Sequence, residues 1–241
     1  MSWLENLTLF AYGQMPDFAR EALWDRGVSD EQIELYRIGY LDVELIDGIP
    51  MDFLKQIKNG ALLDKVFLLP LTTALGEVRG FQFRHVDRAR GGYTDYFVDR
   101  REACLFGLGQ AMRSIWDSRS VYLVEGAFDL FPIQRATPNV IATLTAYAPA
   151  SLVKLLKRIV VEKVWVGYDM DEPGLKGRKQ FAHNYKSSFK VYTVRYPKVE
   201  GNFIKDPSEL WEVWGDSLMI PYVQGSMAQK LSADEQKKEY V

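Results

Sequence analysis

Cysteine and histidine are nearly absent from this chain: Cys104 is its one cysteine, and His85 and His183 are its two histidines, in 241 residues. A disulfide needs two cysteines and a structural zinc site needs about four Cys or His ligands, so neither can be assembled within the chain. Metal chemistry here must use oxygen ligands, a hard donor set that suits magnesium or manganese. Long apolar runs are missing too. Those present are strand-sized and broken by charge, and the opening MSWLENLTLF carries Glu5 where a secretory leader has a basic region. Membrane insertion and secretion are therefore not expected, and an intracellular, cytoplasmic setting is. An excess of positive charge is also lacking. The formal net charge of −2 excludes a protein that coats nucleic acid by general basicity.

What the chain has is apolar material, 47% of its residues, enough for one large core or two small ones. The first part reads as short helices. PDFAREALWDRG places Phe18, Ala19, Ala22 and Leu23 on one face and stops at Gly27, and SDEQIELYRIG opens with a Ser29/Gln32 capping box and stops at Gly39. From Asp64 the pattern changes to strands: KVFLLPLTT, a turn at ALGE, the alternating VRGFQFRHV, then YTDYFV, an antiparallel unit. Cys104 to Trp116 reads as a helix whose start is weakened by Gly107 and Gly109.

After Ser118 the rhythm becomes strand, helix, strand, helix. VYLV, NVIATL, KVWVGYD and KVYTVRY are each followed by a helical stretch, the second running from Pro149 to Ile159, the third beginning near Pro173 and the last being DPSELWEVWG. Such alternation predicts a parallel sheet with helices on both faces, an α/β domain preceded by a smaller mixed α+β subdomain. The expected division is 1–118, 119–215 and a tail, 216–241, in which the signal fades into a polar segment that frays or folds only with a partner.

Acidic residues fall where the predicted strands end. Glu125 and Asp129 follow the first, Asp169 and Asp171 end the third, and Asp206 follows the fourth. Parallel strands bring their carboxyl ends to one edge of the sheet, so groups far apart in sequence can converge there. Asp169 and Asp171 alternate along extended chain and can face one cation. Pro173 suits a first helical turn and Gly174 permits close backbone approach. With no balancing Lys or Arg expected among them, the carboxylates repel one another unless a divalent ion sits between them. Asp206 before PSEL also reads as an ordinary helix N-cap, and Asp129 as a helix-surface residue. A second charged group lies between Arg79 and Arg101, where Arg79, Arg84, Arg88, Arg90, Arg100 and Arg101 are opposed only by Asp87, Asp95 and Asp99. It reads either as a solvated hairpin face or as a patch that binds phosphate.

VEGAFDLF, IATLTA, VGYDMDEPGLKG and KDPSEL resemble the successive motifs of the Toprim domain, specifically that of the DnaG-type primases. LPLTTALGEVRGFQFRHV resembles the strand pair ahead of the Toprim domain in that family, and LWDRGVSDEQIELYRIGYL its helical lead-in, so the likeness runs from about residue 15 to 215. It implies a primase catalytic core that makes RNA primers on single-stranded DNA from ribonucleoside triphosphates, with magnesium or manganese. It makes Glu125, Asp169 and Asp171 the principal catalytic and metal carboxylates, with Asp129 and Asp206 of second rank. Arg84 becomes the grip on template or nucleotide phosphate, a task suited to the guanidinium fork, with Arg88, Arg90, Arg100 or Arg101 expected in place of a lysine that the family carries nearby.

The chain departs from the family pattern in three places. The Lys-Tyr-x-Asn-Ser-like segment has no lysine in GGYTDYFVDR, Ser208 stands where a second acidic residue follows KDP, and the family's zinc module has no counterpart. The resemblance thus also implies a separate zinc-binding module and a replicative helicase as partners, in a bacterium or a phage-infected cell. A Toprim nuclease and a degenerate primase fold serving as a replisome adaptor are the competing readings.

Overall fold

The computed structural model describes residues 2–42, 64–97 and 103–238. The chain forms two compact units, Met1–Gln110 and Ala111–Val241. In the first unit, α1 (Trp3–Gly13) starts at a capping box in which Ser2 and Glu5 satisfy each other's backbone N–H groups. This Ser-x-x-Glu signature lies in the opening residues, where the sequence reading looked only for a leader. The two short helices α2 (Asp17–Trp24) and α3 (Asp30–Tyr36) follow as expected, the second with its Ser29/Gln32 capping box formed.

Gly39 does not stop α3. The helix ends at Arg37 in the left-handed region (φ 50°), and Gly39 opens a strand, β1 (Gly39–Leu41). A Cβ on Gly39 would collide with Ala11 of α1, so the glycine marks helix-on-strand packing that helix punctuation cannot distinguish from a stop. β1 pairs with β2 (Val66–Thr72), which pairs with β3 (Val78–His85) and through it with β4 (Tyr93–Phe97), giving an antiparallel sheet in the order β1-β2-β3-β4. The expected turn lies between β2 and β3, where Thr73 donates to Glu77 O and Gly76 to Thr73 O. Leu4, Leu7 and Ala11 of α1 pack on Leu41, Val66, Leu68, Phe81 and Phe83 of the sheet. Removal of this apolar surface from water holds the unit together.

The second unit is the predicted α/β domain. Helix α4 (Leu108–Ser118) leads into β5 (Ser120–Val124), α5 (Ala127–Ala136), β6 (Val140–Ala142), α6 (Ala150–Arg158), β7 (Lys163–Val166), α7 (Glu172–Tyr185) and β8 (Lys190–Thr193). The four strands form one parallel sheet in the order β6-β5-β7-β8, flanked by helices. β5 is buried throughout, as an unbroken apolar run in a covered parallel sheet should be. A small hairpin, β9 (Lys198–Val199) and β10 (Asn202–Phe203), reverses the chain ahead of the last helix, α8 (Pro207–Lys238).

The fading tail expected from residue 216 is a correction. Gly215 breaks the helical geometry (φ 62°), but the chain resumes as helix beyond it. Met219 and Val223, one turn apart, are buried, Tyr222 donates to Arg195 O, and Gln224 donates to Ala136 O. Two apolar anchors suffice to seat the helix, and a window average over the polar residues around them conceals both. Among the described residues no helix is long and apolar enough to cross a membrane.

Candidate metal centre

Strands β5 and β7 are neighbours in parallel register, Leu123 opposite Val166, so the residues that leave their carboxyl ends emerge side by side. Glu125 comes one residue after β5, Asp169 three after β7, and Asp171 caps α7. One carboxylate oxygen from each of Glu125, Asp169 and Asp171 lies within 4.8 Å of the others. The local chain is built for this closeness. A Cβ on Gly174 would strike the backbone of Asp169, so a residue without one is needed there, and the Gly174 N–H donates to Asp171 Oδ1 at 3.0 Å.

Beneath the site, buried Arg178 donates to Val194 O and sits over the Tyr196 ring, and Tyr196 in turn donates its hydroxyl proton to Gly167 O. These bonds fix the exit of β7 that delivers Asp169. The sequence reading missed Arg178, although the inward stripe Gly174, Gly177, Arg178, Phe181 has helical spacing and would have found it.

The other two acidic candidates sit differently. Both oxygens of buried Asp129 have protein donors: the Gly126 N–H at 2.9 Å on Oδ2, and the Ser208 hydroxyl at 2.9 Å with its N–H at 3.3 Å on Oδ1. Ser208, which stands in place of an expected acid, thus ties α8 to α5 at the buried Asp129, while Arg135 pairs with Asp216 and lies over the Trp211 ring. Asp206 accepts the Glu209 N–H at 2.8 Å, the N-cap geometry that Asp-Pro-Ser-Glu suggests.

Lys205 corrects the expectation that no cation balances the cluster. Its Nζ lies 3.0 Å from Asp169 Oδ2 and 3.6 Å from Asp171 Oδ2. Buried Ile204 and a 2.7 Å bond from the Met170 N–H to Lys205 O deliver it there. The signal was the lysine of KDPSEL, hidden because its strand-to-helix connection had no predicted hairpin.

Electrostatics set this site apart. Burial, reinforced by the charges of Asp169 and Asp171, pushes the Glu125 carboxyl up to about 7. Burial also raises Asp169, against the opposing pull of Lys205, and raises Asp129 and Asp206. Burial works to lower Lys205, but the carboxylates around it win and hold its ammonium above the ordinary lysine range. Glu125 Oε2 and Asp169 Oδ1 are buried with no hydrogen-bond partner. Unmet acceptors in a crowded anionic pocket fit a hard dication, which takes oxygen ligands and offsets their repulsion.

The arginine candidates lie in the first unit. Arg84 is on β3, facing Phe67 and Tyr93 in register. Arg88 and Arg90 lie on the 3₁₀ turn Arg88–Arg90, where Arg88 donates to Asp25 O at 3.1 Å and Arg90 meets Asp64 at 2.8 Å. Arg100 and Arg101 lie outside the described residues. Arg26, which the sequence reading passed over, is buried over the Phe67 ring and donates to His85 O and Val86 O, fixing the end of β3 just past Arg84.

Residues 122–211 match the Toprim-like family. The chain is 24% identical to the DNA primase of Deinococcus radiodurans over 184 residues, which cover 67% of this chain and 32% of that one. It is 25% identical to the DNA primase of Borreliella burgdorferi over 226 residues, 81% of this chain and 41% of that one. The chain thus spans well under half the length of these relatives. Among solved structures, the catalytic domain of a DnaG primase bound to single-stranded DNA superposes with a TM-score of 0.70 at 20% identity, covering 92% of this chain and 79% of that one.

Proposed function

From the fold of a DnaG-type primase catalytic core built around a Toprim domain, we propose that this chain synthesises short RNA primers on single-stranded DNA by divalent-metal-dependent nucleotidyl transfer. The observation that carries the reading is the triad Glu125, Asp169 and Asp171, with two of its oxygens unmet by any protein donor. Such a triad holds magnesium or manganese. When bound, the ion lowers the pKa of the attacking 3′-hydroxyl and neutralises charge on the triphosphate.

The chain's own residues do the rest. Asp171, held by the N-terminus of α7, and Asp169, held by the bonded exit of β7, keep their ligand oxygens fixed, so little reorganisation is needed when substrate binds. Glu125, raised by burial and then by its acidic neighbours, would give up its proton on joining the ligand set. Arg84, with Arg88, Arg90, Arg100 and Arg101, guides template phosphates by bidentate bonds and charge. Asp129, fully engaged by Gly126 and Ser208, acts as the post that holds α8 against α5, and Asp206 starts α8 beside it. A zinc-binding module and a replicative helicase are the partners that such a core implies.

Labelled ribonucleotide incorporation on mixed-sequence single-stranded DNA, with magnesium or manganese against chelator, tests the proposal. Short labelled products that require the metal are expected. Cutting of the template would turn the reading to a nuclease, and binding without turnover would turn it to an adaptor.

A further inference from the structure

Lys205 stands among the carboxylates in a way that the nucleotidyl-transfer reading does not explain. Asp171 has two carboxylate oxygens. Oδ1 is taken up capping α7 through the Gly174 N–H, which leaves Oδ2 as the oxygen it can offer a cation, and Oδ2 is the atom that Lys205 faces at 3.6 Å. Asp169 is divided similarly. Its Oδ1 is buried and unmet, while its Oδ2 holds the Lys205 ammonium at 3.0 Å. An arriving dication and the ammonium therefore compete for Asp171 Oδ2 and crowd each other on the two oxygens of Asp169, and like charges at such a separation repel strongly.

The backbone of Lys205 is tied down by Met170, but its side chain is 53% exposed, so the ammonium can leave along its flexible stem while the chain stays in place. The direction it would leave in is towards solvent.

We propose that Lys205 is a tethered counterion: it holds the carboxylates together in the metal-free protein, is displaced when a divalent cation binds, and then takes a phosphate of the incoming nucleotide. The inference rests on the metal-dependent reading above. Before loading, the ammonium relieves the repulsion that would otherwise splay Asp169 from Asp171. After loading, the dication and the freed ammonium would both be available to the triphosphate's negative charge, so nucleotide binding would be coupled to metal binding. The lysine replaces none of the carboxylates and takes no proton in the reaction. It is a positioning and phosphate-binding group.

Two equilibrium measurements on the full chain test this, with no turnover involved. Manganese binding is followed by the loss of free-ion paramagnetic resonance signal, and binding of a non-hydrolysable ribonucleoside triphosphate by calorimetry at saturating magnesium. In Lys205→Met, manganese should bind roughly tenfold more tightly, because a competing charge is gone, while the triphosphate binds several-fold more weakly. Lys205→Arg, which keeps the charge, should stay near the parent on both. Opposite signs on the two ligands distinguish displacement from a merely structural ion pair, and a variant that failed to fold would lose both. If Lys205→Met binds manganese no more tightly than the parent, the counterion role is wrong although the metal site stands. A triphosphate affinity equal to the parent's overturns the phosphate role. If the parent itself binds no manganese, the metal reading falls and this inference falls with it.

Discussion

Around the antiparallel sheet of the first unit, these charges find partners: Arg26 on the carbonyls of His85 and Val86, Arg88 on Asp25 O, Arg90 on Asp64. In the parallel sheet of the second, carboxylates are pressed together and two of their oxygens have no protein donor. Connectivity accounts for the contrast. In the first unit each of these arginines meets a carbonyl or carboxylate that another part of the chain brings to it, whereas right-handed crossovers return every strand in the same direction and gather their ends at one edge. Charge in the first unit supports the fold. Charge at the edge of the second works against it and must be held there by the surrounding bonds.

Removing charge from each sheet should therefore have opposite consequences. The largest effect is expected for Asp169→Asn and Asp171→Asn, each of which should cut metal-dependent primer synthesis by on the order of a thousandfold, since a hard cation loses an anionic ligand. Thermal melting in chelator should stay nearly level, because the repulsion and burial cost relieved offset the ion pair lost with Lys205, and asparagine at position 171 still caps α7. Incorporation at the parent rate by either variant, or a fall of many degrees in chelator, would break the contrast.

Arg26→Met makes the converse case. Methionine keeps apolar contact with Phe67 but leaves the carbonyls of His85 and Val86 without their donor, so urea unfolding should register a loss of about 2 kcal/mol. Manganese affinity should not change. Stability equal to the parent's would mean that water satisfies the carbonyls and the arginine is dispensable.

A smaller effect concerns pH. The Glu125 carboxyl stands at about 7 in the folded protein against an ordinary value of 4.5, so between these values the native state keeps a proton that the unfolded chain has released. Its contribution to stability is thus present below about 4.5 and is lost as pH rises through about 7. Melting temperatures in chelator should fall by a few degrees from pH 5 to pH 8, the half-exposed position of the residue moderating the size, and Glu125→Gln should flatten that slope. Magnesium should offset most of the loss at pH 8. An unchanged slope in Glu125→Gln would assign the pH dependence to the other raised carboxyls, Asp129, Asp169 and Asp206.

The smallest effect separates binding arginines from structural ones. If Arg84 contacts one template phosphate, Arg84→Ala should make the dependence of log affinity on log salt shallower by roughly 0.7 for single-stranded DNA, with little change in preference among sequences. A slope identical to the parent's would return Arg84 to the structural group with Arg26.

Much of the architecture was legible because periodicity speaks directly to local structure. The alternation after Ser118 announced the parallel domain, and the turn at ALGE announced the β2–β3 hairpin. Strand-end placement brought forward Glu125, Asp129, Asp169, Asp171 and Asp206, since residues that follow parallel strands share an edge, and the family resemblance ranked Glu125, Asp169 and Asp171, whose oxygens do converge, above the other two. The misreadings occurred where one residue type serves two purposes. Gly39 looked like a helix stop but is a packing glycine, and the polar composition beyond Gly215 concealed the anchors Met219 and Val223.

By itself, then, the sequence determined the order of elements and the carboxylates at the sheet's edge, because these follow from residue type and spacing alone. Only the tertiary structure decided which acids are left with unmet oxygens. Asp129 is taken up by Ser208, seventy-nine residues away, and Lys205 reaches Asp169 through a hairpin and a single backbone bond to Met170. Distances of this kind depend on how separate elements close on one another, and the hydrogen bonds that settle them join residues whose own local sequences hold no trace of the partner.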